Sequence, residues 1–557
     1  MPYKNEQLTL IKKSIDDFIY REFPEEYAMS LENSAFSCSD GDNALHSRIS
    51  PLLKRILSAD GLGVAVLAAP PEFGGMAGAL PGLIYAGEAL GRADLGIATG
   101  ALASLLAGAP VFSGGTEEQR RGIAGRILRG EIGAFAATEP QGGSSVAELR
   151  TQALPVSGGE YVLNGAKQWI TNTGIADFYI ILAKTPEGPA WFIADKSLQG
   201  LSFGLPEKKY GQHLSVTADL YLDNVNIPAE NMVGLLPGQG LRQASAAFDL
   251  TRLIVASMSA GSGEAALETA ALYSLSRYGG ALSEDTAYMN GLIVPHYVRL
   301  EAVRFYLESL CRLSFTESDS GIYAQASSLT AESSISKFFA AEACVEACRA
   351  SSQACGGAGI SREYSAGKRL SDSLILPIYE GADEILKISV FRKRWQDYLR
   401  SGGKLWQQKA EAAASFSKDA CSGMAAQPMI LLSCLFEICR KHRLNRDRHI
   451  SLKFGEFIAY SEIASSFFLC ASSETAKAMS RIFAREALSK IYSGGLAAVS
   501  GLSSEAGHEF CVKMSGFQLK LAELFTGNAE DCALAAKEIL KKAGKSGKQE
   551  REGEKCK

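Results

Sequence analysis

The chain is poor in what several specialised protein classes require. Its 557 residues include only six histidines, and its twelve cysteines contain no C-x-x-C pair. A zinc site is therefore not expected. Cysteines spread from Cys38 to Cys556 over so long a chain do not make a disulfide scaffold. Reduced, buried thiols in a cytosol-like compartment are the expectation. No charge dominates: Lys plus Arg is 57, Asp plus Glu is 61, and the net charge is −4. Nucleic acid would find no bulk charge to recognise. At 46% hydrophobic and 21% charged residues, the chain is too apolar to be disordered. The N-terminal MPYKNEQLTLIKKSIDDF is polar and helically periodic. It has neither the apolar core of a signal peptide nor the acid-free composition of a transit peptide. Residues 95–112 carry no charge and touch the lower limit of a membrane span. Gly96, Gly100, Gly108 and Pro110, among many small residues, make this stretch read as a buried helix pair. The expectation is a soluble, intracellular protein of three or four packing units, at roughly 150 residues each.

Residues 1–133 read as mostly helical. PPEFGG at 70–75 is a turn cluster, and Thr116, followed by acids, caps a helix. From 134 to 238 the pattern alternates and is rich in Tyr, Val, Ile and Trp, as in EYVLNG, FYIILAKT and LYLDNVNIP. Gly, Pro, Asn and Asp punctuate it, which predicts a small antiparallel β domain with a tight turn at NGAK, 164–167. Residues 239–400 return to long helices. The stretch from Leu241 to Gly279 reads as one or two helices joined through a glycine-rich segment, and Thr330 opens another. SGGK at 401–404 is a break. A third helix-rich block spans 401–543, and the tail 544–557 is charged and expected to be disordered. The fold class is α+β, mostly α.

FAATEPQGGSSVAELRTQA followed by YVLNGAKQWITNTGIAD resembles the acyl-CoA dehydrogenase family. So does IYEGADEIL at 378–386, with FDLTR at 248–252 and QACGGAG at 353–359 in matching order and spacing. The resemblance covers about residues 50–395. It implies an N-terminal helical domain, a middle β domain and a C-terminal four-helix bundle, with FAD as cofactor and acyl-CoA as substrate. It also implies a homodimer whose FAD site is shared between subunits, and electron transfer to an electron-transfer flavoprotein.

The chemistry fits the residues. Removing a weakly acidic α-proton from a thioester needs a dry carboxylate, and Glu380 is the candidate base. Burial by a bound acyl chain should raise its pKa. Gly381 lets backbone approach a ligand. By resemblance, the Glu380 N–H and an FAD hydroxyl hold the developing enolate, and the hydride passes to the flavin. Trp169 and Thr171 resemble the flavin-contacting pair. Phe135 and Thr138 resemble contacts to the ring and its pyrimidine edge, and Ser144 the serine near the pyrophosphate or thioester. Asp249 and Arg252, three apart on one helical face, resemble the pair that meets CoA, with a plain helix salt bridge as the alternative. Tyr379 and Gly381 carry over to substrate, and Ala382 and Glu384 to cofactor. Gln353 and Gly357 resemble the stretch receiving FAD from the neighbouring subunit, and Arg277 a partner for its pyrophosphate.

The chain departs from the family pattern at several positions. Ser145 stands where an acid is usual, and Ala382 where a threonine is usual. Tyr278-Gly279-Gly280 follows Arg277, KKYGQHLSV at 208–216 lacks an Arg-Gly, and Ser371 replaces a second arginine. Two branches of the family place their base on the helix matched by FDLTR, where this chain has Thr251, so Glu380 is the sole base candidate. Shorter members end near Arg394 to Arg400, and the continuation here weakly resembles the extension of the very-long-chain branch. MILLSCLFEICRKHRLNRDRH reads as a helix of the extension's own core with a solvated basic end. The alternative is peripheral contact with an anionic inner-membrane surface. The expected activity is dehydrogenation of medium to very long saturated acyl-CoA in the cytoplasm. A non-catalytic scaffold relative and a flavin oxidase on the same fold are the rival readings.

Overall fold

The structure, a computed structural model, describes residues 6–37, 41–76, 80–142, 148–277, 289–314, 322–415, 420–515, 517 and 524–555. The chain divides into two compact units. The first comprises Met1–Ser262, Cys311–Ser333 and Ser371–Ile375; the second comprises Gly263–Leu310, Ser334–Leu370 and Leu376–Lys557.

In the first unit, the uncharged stretch forms one helix, Leu95–Gly114, rather than the expected pair. Asp94 caps it by accepting from Ile97 N–H at 2.9 Å. Its glycines serve close packing instead of breaking it: a Cβ on Gly96 would lie 3.1 Å from Ser215 N, and one on Gly100 would lie 3.3 Å from Asn172 Oδ1. The helix is long and apolar enough to cross a membrane, but its apolar window is wholly buried within the protein. The next helix, Glu117–Leu128, starts at the expected Thr116, which forms a capping box with Gln119. The stretch after Leu241 forms a single helix, Gly240–Arg277. A Cβ on Gly261 would sit 2.0 Å from Glu88 O, so glycine there permits a close crossing with the helix Leu80–Ala93.

The β region forms a seven-stranded sheet in the order β1-β4-β2-β3-β7-β6, with β5 paired to β4. The strands are β1 Gly133–Ala136, β2 Gln152–Val156, β3 Glu160–Thr171, β4 Phe178–Thr185, β5 Gly188–Asp195, β6 Leu201–Phe203 and β7 Thr217–Pro228. The sheet is mixed rather than purely antiparallel, because β1 runs parallel to β4 in the register Gly133↔Phe178. The long connection from β1 to β4 permits a parallel pairing that a tight hairpin could not make. NGAK is not a turn but part of β3. A register shift falls between Leu163 and Gly165, and a Cβ on Gly165 would lie 2.6 Å from Thr151 Oγ1. The tight turn is a three-residue hairpin loop, 157–159, between paired Val156 and Glu160, in which Gly158 and Gly159 take positive φ (94° and 77°).

The second unit is helical. Gly402 and Gly403 (φ 66° and 88°) break the chain at the expected place between Asp383–Arg400 and Leu405–Ser415. The extension packs on the first of these helices. A Cβ on Gly455 would be 2.1 Å from Lys387 O, so the helix Arg448–Cys470 lies against that backbone. Phe391, Trp395, Tyr398, Trp406, Phe436 and Phe454 form one aromatic cluster. Beside it, buried Glu462 accepts from Arg394 (2.8 and 2.9 Å) and Lys409 (2.7 Å). The helix Ala420–Lys441 buries Leu431, Leu432, Leu435, Phe436 and Ile438 in the extension's own core. At its end, Lys441 and His442 both meet Glu509. The last helix runs Asn528–Lys555, through the tail expected to be disordered. NAEDCALAAKEILKKAGK is dense in strong helix formers, and Asp531 ties its start to Arg485 at 2.6 Å.

Two predictions follow from this packing. Gly455→Val should destabilise the protein by about 1–3 kcal/mol through overpacking, read as a lowered denaturant midpoint. Burial pushes the Glu462 carboxyl up, but the charges of Arg394 and Lys409 hold it down to about 2. Its contribution to stability is therefore complete above the ordinary carboxylate range and lost as pH falls through that range toward about 2. Glu462→Gln should be less stable than the native chain at neutral pH by about 3–5 kcal/mol. Denaturation midpoints of the two should converge as pH falls below about 4.5.

Candidate active site

In the first unit, two strands present the expected flavin-side residues. β3 carries a second register shift between Lys167 and Ile170, and Trp169 occupies it with φ 60°. The bulge turns the indole outward, leaving it 54% exposed, while Ile170 stays in the core. Thr171 is half-buried and pairs with Thr217 of β7. Asn172, also at positive φ (68°), is fully buried. Its Nδ2 donates to Gly100 O at 2.9 Å, Gly133 O at 3.0 Å and Ser104 Oγ at 3.2 Å. It pins the end of β3 to the helix Leu95–Gly114 and to β1.

Thr138 is brought beside Trp169: Gln168 N–H donates to Thr138 O at 3.0 Å. The segment between is organised by a buried ion pair. Lys167 Nζ donates to Glu139 Oε1 at 2.8 Å and Ala137 O at 3.2 Å. Glu139 also accepts from Arg150 N–H (2.7 Å) and Thr151 N–H (2.9 Å). Burial pushes the Glu139 carboxyl up, yet Lys167 and these donors outweigh it and hold it at about 2. Phe135 packs against Trp191 at 4.6 Å and edge-on to Phe248 at 5.8 Å.

Asp249 and Arg252 form the expected pair on one helical face, 3.3 Å apart. Asp249 is almost wholly buried and accepts from Thr330 Oγ1 (2.8 Å) and Ser333 Oγ (3.3 Å), so its carboxylate also serves helix packing. The divergent loop 208–216 is anchored by Gln212, which donates to Asp372, and by His213, whose Nδ1 meets Glu32 at 2.5 Å. Ser144 lies outside the described residues, as does the side chain of Arg277.

In the second unit, Glu380 sits at φ 54° and Gly381 at φ 101°, with Tyr379, Glu380, Gly381 and Ala382 all half-buried. Ala382 is the N-cap of Asp383–Arg400 and offers no side-chain cap. Glu384 is exposed in the first turn, where an acid complements the helix dipole. Asp383 N–H donates to Pro377 O at 3.0 Å, closing the loop. Lys337 Nζ reaches both Gly381 O (2.8 Å) and Asp383 Oδ1 (2.7 Å). Gln353 and Gly357 are exposed together at the end of Thr330–Cys355 and the following turn. Nothing lies within 4 Å of a Cβ built on Gly357, whereas Gly359 is closed off by Ser352 O.

Sequence reasoning missed Glu139, Lys167, Asn172, Lys337 and Asp383. Glu139 and Lys167 stood within the quoted motifs, and Asn172 directly follows Thr171. Lys337 carried no local signal, because its partners lie more than forty residues away.

The comparisons with known proteins agree with this layout. Acyl-CoA dehydrogenase family models match in order: the N-terminal domain over 46–131, the middle domain over 134–225 and the C-terminal domain over 238–393. The chain is 31% identical over 341 residues to cyclohexane-1-carbonyl-CoA dehydrogenase of Syntrophus aciditrophicus, covering 60% of this chain and 86% of that protein. It is 32% identical over 347 residues to the mitochondrial very long-chain specific acyl-CoA dehydrogenase of Mus musculus, covering 59% of this chain. The match spans about half the length, 51%, of that relative. In fold it resembles an acyl-CoA dehydrogenase from Bacillus anthracis solved in complex with FAD. The TM-score is 0.82 at 23% identity, covering 97% of this chain and 95% of that one. The chain belongs to the acyl-CoA dehydrogenase family. The fold likeness extends through the residues beyond 393, which the family models do not reach.

Lys167→Met would leave Glu139 buried beside no counter-charge. The expected cost is about 3–5 kcal/mol, measured by denaturant unfolding. Adding Glu139→Gln to that variant should recover part of the loss.

Proposed function

We propose that this protein is an FAD-dependent acyl-CoA dehydrogenase, converting saturated acyl-CoA thioesters to trans-2-enoyl-CoA. The observation that carries the reading is Glu380, held at positive φ beside Gly381 in a loop closed by its own backbone and by Lys337. The residues fit FAD. An outward-turned indole at Trp169 offers a flat apolar face, Thr138 is held beside it through the Gln168 N–H bond and Thr171 lies two residues on in the same strand, and Gly357 leaves open space for a phosphate-bearing ligand. FAD, when bound, supplies the hydride acceptor. Glu380 takes the α-proton as a base, and its N–H and the flexible Gly381 allow the thioester carbonyl to approach backbone.

The substrate range we infer is medium to very long acyl chains, with an electron-transfer flavoprotein as acceptor. The relatives' names support the acyl-CoA class. The assembly we infer is a homodimer sharing the FAD site through Gln353, Gly357 and Arg277, in the cytoplasm. Peripheral membrane contact is the weaker reading, because the apolar face of Ala420–Lys441 is already buried. A non-catalytic scaffold is the rival function, and it draws on Ala382, which supplies no hydroxyl.

The test is an anaerobic titration of the purified protein with acyl-CoAs of graded length, following bleaching of the flavin absorbance. Bleaching with a chain-length optimum is expected, and a colourless protein that takes up no FAD would exclude the enzyme. Rapid reoxidation of the bleached protein by air would favour the oxidase. Glu380→Gln should retain FAD yet lose bleaching rate by about 10²–10⁴-fold or more.

A further inference from the structure

The fully buried Lys337 ammonium is the point of interest in the second unit. It bonds the carbonyl of Gly381, the residue directly after Glu380, and the carboxylate of Asp383, two residues further on. With Asp383 N–H bonded to Pro377 O, residues 377–383 form a closed loop with one cation at its base. Glu380, inside that loop, occupies backbone space that a non-glycine residue enters at a cost and keeps only when its surroundings insist.

Asp383 is a buried acid in the first turn of its helix. It is 2% exposed, and its second oxygen, Oδ2, is buried without a hydrogen-bond partner among the described residues. An acid in the first turn of a helix needs no burial to favour the dipole, as exposed Glu384 shows one residue on. A half-satisfied buried carboxylate is costly, and this one bonds the same ammonium that holds Gly381 O, which points to a role at the loop.

We propose that Lys337 and Asp383 are positioning residues: together they hold the backbone that presents Glu380, and the charge on Asp383 tunes that hold. This rests on the reading of Glu380 as the base. Ionised, Asp383 draws the Lys337 ammonium toward itself and shares it with Gly381 O. Protonated, it releases the ammonium to the carbonyl. Burial pushes the Asp383 carboxyl up to about 7, against the pull of Lys337, so the two states exchange near neutral pH. The other charges that bear on it are Glu342 from the helix of Lys337 and Lys387 from its own helix. Lys387 in turn pairs with Glu342 and feels Glu456 of the extension.

The experiment uses the FAD-loaded protein and three forms: native, Asp383→Asn and Lys337→Met. The rate of flavin bleaching by saturating acyl-CoA is measured from pH 6 to 9, with acyl-CoA affinity and hydrogen exchange of the 378–383 amides measured alongside. In Asp383→Asn the rate profile should lose its ionisation near neutral pH while acyl-CoA affinity stays unchanged. In Lys337→Met bleaching should slow by about 10-fold or more at unchanged affinity, and exchange of those amides should rise. Native profiles and native exchange in both variants would overturn the proposal. Should Lys337→Met fail to fold, the near-isosteric Asp383→Asn decides alone. Should native protein never bleach, the base reading of Glu380 fails. Exchange at 378–383 then still tests the hold: an unchanged rate in the variants refutes it.

Discussion

Among the described residues, each unit contains one fully buried lysine, and it bonds a carboxylate and a backbone carbonyl at once. Lys167 holds Glu139 and Ala137 O in the first unit, and Lys337 holds Asp383 and Gly381 O in the second. Both lie close in sequence or space to a residue held in left-handed backbone, Trp169 and Glu380 respectively. An ammonium taken wholly out of water keeps its charge only if its donors are met. That requirement works in both directions. The lysine fixes the loop because the loop satisfies the lysine.

The extension takes part in the same logic within its unit. Gly455 brings the helix Arg448–Cys470 into backbone contact with Lys387, one turn beyond Asp383. From there charges alternate across helices: Glu342 meets Lys387, and Glu456 meets Lys490. Burial pushes the Glu456 carboxyl up, but Lys490, Lys387 and Lys453 hold it below the usual range. The helix that follows the loop of Glu380 is thus braced on its far side by the extension, with Arg394 and Glu462 repeating the arrangement two turns further on.

Local chemistry explains which expectations held. Thr116 as a cap and SGGK as a break are written in neighbouring residues, and both stand in the structure. Motif order carried the family, and the family models bear it out. Non-local pairing was not legible. The parallel partnership of β1 and β4 joins strands more than forty residues apart, and NGAK looked like a turn because nothing nearby shows Thr151 pressing on Gly165. Glycines misled for a related reason. In Leu95–Gly114 and Gly240–Arg277 they mark close crossings, which resemble breaks when only one chain segment is seen. The tail was read from charge, although its lysines and glutamates, with Gln549 and Arg551, are good helix formers and the helix that enters it begins at Asn528.

Ala382 shows how one departure from the family pattern shifts work onto its neighbours. A hydroxyl at a helix N-cap is worth about 1 kcal/mol, and Ala382 forgoes it at the start of the helix that ends the loop of Glu380. The backbone groups freed there still have to be met. Asp383 N–H donates to Pro377 O, Ile385 N–H turns back to Ala382 O, and the carbonyl of Gly381 is met by Lys337. On the proposal made for Lys337 and Asp383, the hold on Glu380 rests on a buried ion pair, which responds to pH as a neutral hydroxyl cap would not. The cost falls on the second oxygen of Asp383, left without a hydrogen-bond partner among the described residues. A loop held in this way gains sensitivity to protonation where a capped one would have none.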